Sequence, residues 1–95
     1  MGRRLLDDAA VADALAGLQW DRDGDELVRT VVLDDFAGAM VFVNRVAELA
    51  EERDHHPDIA ISWNRVTLRV TTHDSGGLTA ADVDLARAVD AIAPG

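Results

Sequence analysis

Apolar residues alternate with polar ones on both sides of Asn64-Arg65, and this pattern limits the fold more than any other stretch of the chain. Ile59, Ile61 and Trp63 fall at every second position before that pair, and Val66, Leu68 and Val70 do so after it. A period of two marks a strand with one buried face. Asparagine tolerates the positive φ that tight hairpin turns require. Strands joined so closely pair antiparallel, so the region from Ile59 to Val70 predicts a β-hairpin. With Asn64 and Arg65 as the loop, Trp63 opposes Val66, Ile61 opposes Leu68, Ile59 opposes Val70 and, further out, His56 opposes His73. A four-residue loop centred on the same point gives the same register.

The preceding segments supply its partners. Leu18-Gln19-Trp20 begins another strand, Asp21-Arg22-Asp23-Gly24-Asp25 forms a polar turn, and Leu27 to Leu33 returns. Asp-Gly in that connection supports a hairpin. The return strand sets Leu27, Arg29, Val31 and Leu33 on one face, with Val28, Thr30 and Val32 on the other. Before it, Asp7 or Asp8 caps a short helix that carries Val11, Ala12 and Leu15 on one side and ends at Gly17. Asp34 or Asp35 caps the longest helix, from about Phe36 to Asp54. In it Phe36, Met40, Val43, Ala47 and Ala50 recur at steps of three and four, and Phe42, Val46 and Leu49 widen the stripe. Gly38 costs about 1 kcal/mol relative to alanine inside a helix, which points to close packing.

Pro57 disfavours helical geometry at His56, so that helix ends near His55. Ser75-Gly76-Gly77 is a loop, and Thr79 caps a last helix to about Ile92. The order α-β-β-α-β-β-α predicts one α+β domain over residues 1–95. Its architecture is a four-stranded antiparallel sheet with three helices packed on one face.

Composition narrows the function. A chain of 95 residues holds one core and buries roughly two-thirds of its unfolded surface, so self-association is a natural way to bury more. No apolar run approaches the ~20 residues of a membrane span. The N-terminus turns acidic at Asp7-Asp8 before a signal-peptide core can form, and the expectation is a soluble, cytoplasmic protein. Cysteine is absent, which excludes disulfides and thiolate chemistry. Nine arginines are scattered among eighteen acidic residues for a net charge of −9, an unfavourable balance for nucleic acid.

All three histidines fall at positions 55, 56 and 73. Imidazole titrates nearest neutrality, so their grouping suggests proton transfer. Directly opposed strand residues have Cβ atoms about 5 Å apart, which brings His56 and His73 together at the open end of the hairpin. The chain break at Pro57 lets His55 converge on the same pocket. Glu51, one helical turn before His55, is placed to orient that ring, and Asp54 adds a second carboxylate. Zinc is the competing use of three imidazoles, but no HExxH or cysteine spacing supports it. Thr79-Ala80-Ala81-Asp82 reads as a capping box with Asp in the usual place of Glu, a role we prefer for Asp82 over direct catalysis. Trp63 reads first as hairpin packing.

Taken together, Glu51, His55-His56-Pro57, Trp63, His73 and Asp82 resemble the motif of the pterin-4a-carbinolamine dehydratases. Phe36, Phe42, Val46-Ala47, Ala50-Glu51, Thr72-His73 and Gly77-Leu78-Thr79 extend the likeness over roughly residues 18–92. The resemblance implies a hydro-lyase, a 4a-hydroxytetrahydrobiopterin dehydratase. Such an enzyme eliminates water from 4a-hydroxytetrahydropterin to give quinonoid dihydropterin, recycling the tetrahydropterin used by aromatic amino acid hydroxylases. It further implies His55, His56 and His73 as catalytic residues, with His55 and His73 moving protons and His56 contacting the pterin. Glu51, Asp54, Pro57, Trp63, Thr72 and Asp82 become substrate-binding positions. The same resemblance implies no metal and no organic cofactor, a small-molecule pterin substrate, a homodimer or homotetramer, and a functional link to an aromatic amino acid hydroxylase. Ile59-Ala60 departs from the bulkier or aromatic residues that often follow His-His-Pro-Asp in relatives. The alternative is a non-catalytic oligomeric interaction or assembly module on the same fold, since a fold alone does not fix function.

Overall fold

Three side-chain caps divide the chain. Asp7 accepts a hydrogen bond from the Ala10 amide at 2.8 Å and starts α1 (Asp8–Leu15). Asp35 accepts from the Gly38 amide at 2.7 Å and starts α2 (Phe36–Arg53). Thr79 and Asp82 form a reciprocal capping box at the start of α3 (Ala80–Ile92). Between these helices lie β1 (Asp21–Asp23), β2 (Glu26–Val32), β3 (Asp58–Ser62) and β4 (Arg65–Val70), and one turn of 3-10 helix, His73–Ser75, precedes α3. The computed structural model describes residues 3–94. Its order is α-β-β-α-β-β-α around a four-stranded antiparallel sheet of spatial order β1-β2-β4-β3, the α+β architecture expected from the sequence.

Leu27 and Val31 of β2 lie opposite Val70 and Val66 of β4, and with Leu68 they make the sheet's share of the core. Val11 of α1, the α2 line Ala39, Phe42 and Val46, and the α3 residues Leu85, Ala86 and Val89 cover them. Of the stripe predicted for α2, Phe42, Val46 and Ala50 are buried and Val43 and Leu49 pack at its margin, but one edge of it is misplaced. Phe36 is 52% exposed and Ala47 faces solvent, whereas Ala39 is fully buried. One residue is about 100° of helix, and the small Ala39 and Ala50 on the inner line let α2 lie close to the sheet. Ala12, expected on the inner side of α1, is also exposed.

The first hairpin is tighter than predicted. Asp21, Arg22 and Asp23 are strand residues paired with Val28, Leu27 and Glu26, and only Gly24-Asp25 form the loop. Gly24 has φ +60°, a conformation that glycine enters freely. Leu18 to Trp20 precede the strand instead of starting it. Trp20 is buried, and its indole N–H donates to Asp90 of α3 at 2.8 Å. Asp90 also pairs with the buried Arg29 of β2 and accepts from the Gln19 amide. This network satisfies the one arginine on the inner face of β2.

The second hairpin is present, but its register differs by two residues. Ile61 opposes Val66 and Ile59 opposes Leu68, which makes Trp63-Asn64 the loop. A slip of two keeps every side chain on its own face, so alternation cannot detect it. The position is fixed by tertiary contacts. Asn64 donates through Nδ2 to the Leu33 carbonyl at 3.0 Å and accepts from the Leu33 amide at 2.8 Å. Trp63 takes the positive φ of +51° that the sequence reading gave to Asn64. Continued outward, the true register sets Thr71, not His73, across from His56.

Candidate active site

The site begins with the way α2 stops. Asp54 adopts the left-handed conformation, φ 48° and ψ 45°, and its amide bonds back to the Ala50 and Glu51 carbonyls. The His55 amide closes on the Ala50 carbonyl at 3.1 Å, a helix-terminating arrangement usually built on glycine. The reversal separates two neighbouring imidazoles. His55 turns inward and is 7% exposed, while His56 stays on the surface.

Behind His55 stands Asp82, which is fully buried. Asp82 Oδ1 lies 2.6 Å from His55 Nε2. Its Oδ2 accepts from the Thr79 amide at 2.8 Å and from the Thr72 hydroxyl at 2.8 Å. One carboxylate is therefore both helix cap and histidine partner. The capping box was legible in the sequence, but the second oxygen's partner was not, because His55 reaches it only through the fold. On the other side of the ring, Arg3 Nη1 approaches His55 Nδ1 at 3.4 Å. Guanidinium can only donate, so this contact places the lone pair on Nδ1 and the ring proton on Nε2, directed at Asp82.

His55 and Arg3 border a cavity of about 220 Å3 at the open end of the second hairpin. His55, His56 and His73 all line it, together with Asp54 and Thr72; Arg3, Thr71 and Asp74 complete the wall. Glu51 does not hold His55 as its spacing suggested. Its carboxylate meets His56 Nε2 at 2.5 Å, since the left-handed turn at Asp54 swings His56 back along α2. Asp82 lies behind His55 and not on the cavity surface. Trp63 is 67% exposed at the hairpin tip, the end away from the histidines, and Pro57 is absent from the lining. Sequence reasoning missed Arg3. It lies 52 residues from His55, beyond any spacing argument. Among the described residues, no group of three His, Asp or Glu side chains is arranged to hold a metal ion.

Asp54 carries a testable conflict between stability and function. A left-handed residue other than glycine is strained by about 1 kcal/mol, and this one borders the cavity. Asp54→Gly should raise the melting temperature by about 4–8 °C while lowering turnover. A thermal melt with no rise would show that the strain at Asp54 is offset, by native contacts of its side chain or by the greater unfolded-state entropy of glycine.

A buried carboxylate on one imidazole nitrogen, an arginine on the other, and two more histidines lining the same polar cavity make an arrangement of the kind that moves protons, set on an α+β domain. The family model for pterin 4 alpha carbinolamine dehydratase matches residues 4–92. The chain belongs to that family. A protein of Thermomicrobium roseum whose name provisionally makes it a pterin-4-alpha-carbinolamine dehydratase is 59% identical over 83 residues, covering 86% of this chain and 89% of its own. A like-named protein of Nocardia farcinica is 50% identical, covering 98% of this chain and 99% of its own. The crystal structure of a transcriptional coactivator/pterin dehydratase from Brucella melitensis superposes with a TM-score of 0.91 at 32% identity, over 96% of this chain and all of that one. A pterin dehydratase-like protein identified as a RuBisCO assembly factor in the alpha-carboxysome shares the fold, with a TM-score of 0.62 at 23% identity over 78% of this chain and 86% of its own. Among the described residues no helix is long and apolar enough to cross a membrane.

Proposed function

We propose that the protein is a 4a-hydroxytetrahydropterin dehydratase working by histidine acid/base catalysis without a metal or organic cofactor. The observation that carries this reading is the Asp82–His55 pair at a cavity that His56 and His73 also line. In the proposed reaction His55 Nδ1 takes the N5 proton. The released electron pair forms the N5=C4a double bond, and the C4a–O bond breaks. His73 protonates the departing hydroxyl, so water and quinonoid dihydropterin leave together. Solvent returns the proton from His55 to His73, and no net proton is consumed. Thr72 and Asp54 border the space where the pterin would lie, and His56, fixed by Glu51, contacts the ring.

The test is a dehydration assay with synthetic 4a-hydroxytetrahydropterin. The protein should accelerate the reaction well above the buffer rate; no acceleration at micromolar enzyme would overturn the reading. We propose in addition a homodimer or homotetramer in the cytoplasm, serving an aromatic amino acid hydroxylase. Ile59 and Ile61 support self-association, being 37% and 39% exposed on β3, an edge strand of the sheet. Their exposure, and the dual naming of the Brucella melitensis neighbour, are also what favour the alternative of a non-catalytic assembly module. Turnover separates the two.

A further inference from the structure

The N-terminal segment is pinned across the loop that carries His73. Leu5 bridges to Thr79, and the Leu6 amide donates to the Leu78 carbonyl at 2.9 Å. The Ser75 hydroxyl donates to the Arg3 carbonyl at 2.6 Å. Leu5 also lies so close over Gly77 that a Cβ there would come within 3.2 Å of its Cδ2. These contacts hold the backbone of Arg3 at the rim of the cavity and leave its side chain to reach His55. Arg3 is the sole arginine in a wall otherwise made of histidines, threonines and aspartates.

A guanidinium at this point has two uses for a pterin. It offers several N–H donors in a plane, suited to a ring carbonyl. It also sits 3.4 Å from the nitrogen that must accept the substrate proton, a place it has to yield during the reaction. We propose that Arg3 is a substrate-binding residue that exchanges His55 Nδ1 for the pterin carbonyl oxygen next to C4a. The exchange frees the Nδ1 lone pair as it fixes the ring against it. This inference rests on the dehydratase reading and adds to it a contact from outside the histidine motif.

The contact forms equally in bound substrate and in the transition state, so its loss should raise KM more than it lowers kcat. In Arg3→Ala, KM for 4a-hydroxytetrahydropterin should rise about 10- to 100-fold, the range for a hydrogen bond to a charged donor, with kcat changed less than about threefold. Arg3→Lys should recover part of the loss, which a merely structural role would not predict. The inhibition constant of 7,8-dihydrobiopterin, which has the carbonyl but no C4a hydroxyl, should rise in parallel. Arg3 is exposed, so both variants should fold like the parent, as a thermal melt will verify. A wild-type enzyme that turns over while Arg3→Ala keeps its KM and its dihydrobiopterin inhibition would overturn the assignment of Arg3 alone. A raised KM with unchanged inhibition would overturn the carbonyl contact. No turnover by the wild type would overturn the dehydratase reading, and Arg3's role with it.

Discussion

His55→Ala is expected to lower kcat/KM for dehydration by about 10²- to 10⁴-fold, the usual contribution of a positioned general base. The size of the effect follows from burial and geometry. His55 is the histidine whose tautomer is set from both sides, by Asp82 on Nε2 and Arg3 on Nδ1. Water entering the vacated space would be neither as basic nor as well aimed. The fold should survive, because Asp82 keeps the Thr79 amide and the Thr72 hydroxyl as donors. The short bond to Asp82, lost at a cost of about 1.5–3 kcal/mol, is the main loss, since the Arg3 contact is long and Arg3 is exposed. His73→Ala should cost less, since His73 is exposed and a water can deliver the leaving group's proton. Steady-state rates and circular dichroism melts on both variants check this. If His55→Ala kept more than half of the wild-type rate with an intact melt, His55 would not be the base.

Much of the fold could be read in the chain because its signals are local. Asp7 or Asp8, Asp34 or Asp35, and Thr79 were named as helix caps from their place before an apolar stripe, and Asp7, Asp35 and Thr79 each accept a first-turn amide. The errors arose where a local pattern was degenerate. Alternation in β3 and β4 looks identical after a slip of two residues, and the choice was made by Asn64 gripping Leu33, a contact 31 residues apart. The α2 stripe could be drawn along Phe36 or along Ala39, and close approach to the sheet favoured the smaller residue.

The candidate site shows the same division. The gathering of His55, His56 and His73 was legible, although the register first used to argue it was displaced. The partners of those histidines were less so. Glu51 was assigned to His55 by helical spacing, but the left-handed residue at Asp54 hands it to His56. Asp82 was divided between capping and chemistry as if these excluded each other. A carboxylate has two oxygens, and here one caps the helix while the other meets His55.

That double role makes Asp82→Asn the sharpest test of the site. Asparagine keeps the shape but exchanges one acceptor oxygen for a donor. The Thr79 amide is fixed by the helix start and must have an acceptor, so the asparagine oxygen should take the place of Oδ2. Its amide N–H2 then faces His55 Nε2, which must become the acceptor. The ring proton moves to Nδ1, which turns the exposed Arg3 guanidinium away to solvent, and that nitrogen ceases to be a base. An Asp→Asn change that reverses a catalytic histidine's tautomer in a serine protease costs about 10⁴-fold, and a loss on the order of 10³- to 10⁴-fold in kcat is expected here. Stability should fall much less, because the cap survives. Asp82→Ala, by contrast, leaves the Thr79 amide without its acceptor and should lower stability by about 3 kcal/mol. That is roughly 12–24 °C in melting temperature for a domain of this size. The two variants thus separate the cap from the chemistry. Nitrogen-15 NMR of the His55 ring should show the proton on Nε2 in the parent and on Nδ1 in Asp82→Asn. An asparagine variant that keeps the parent's tautomer, or its rate to within threefold, would remove Asp82 from the mechanism and leave it a helix cap alone.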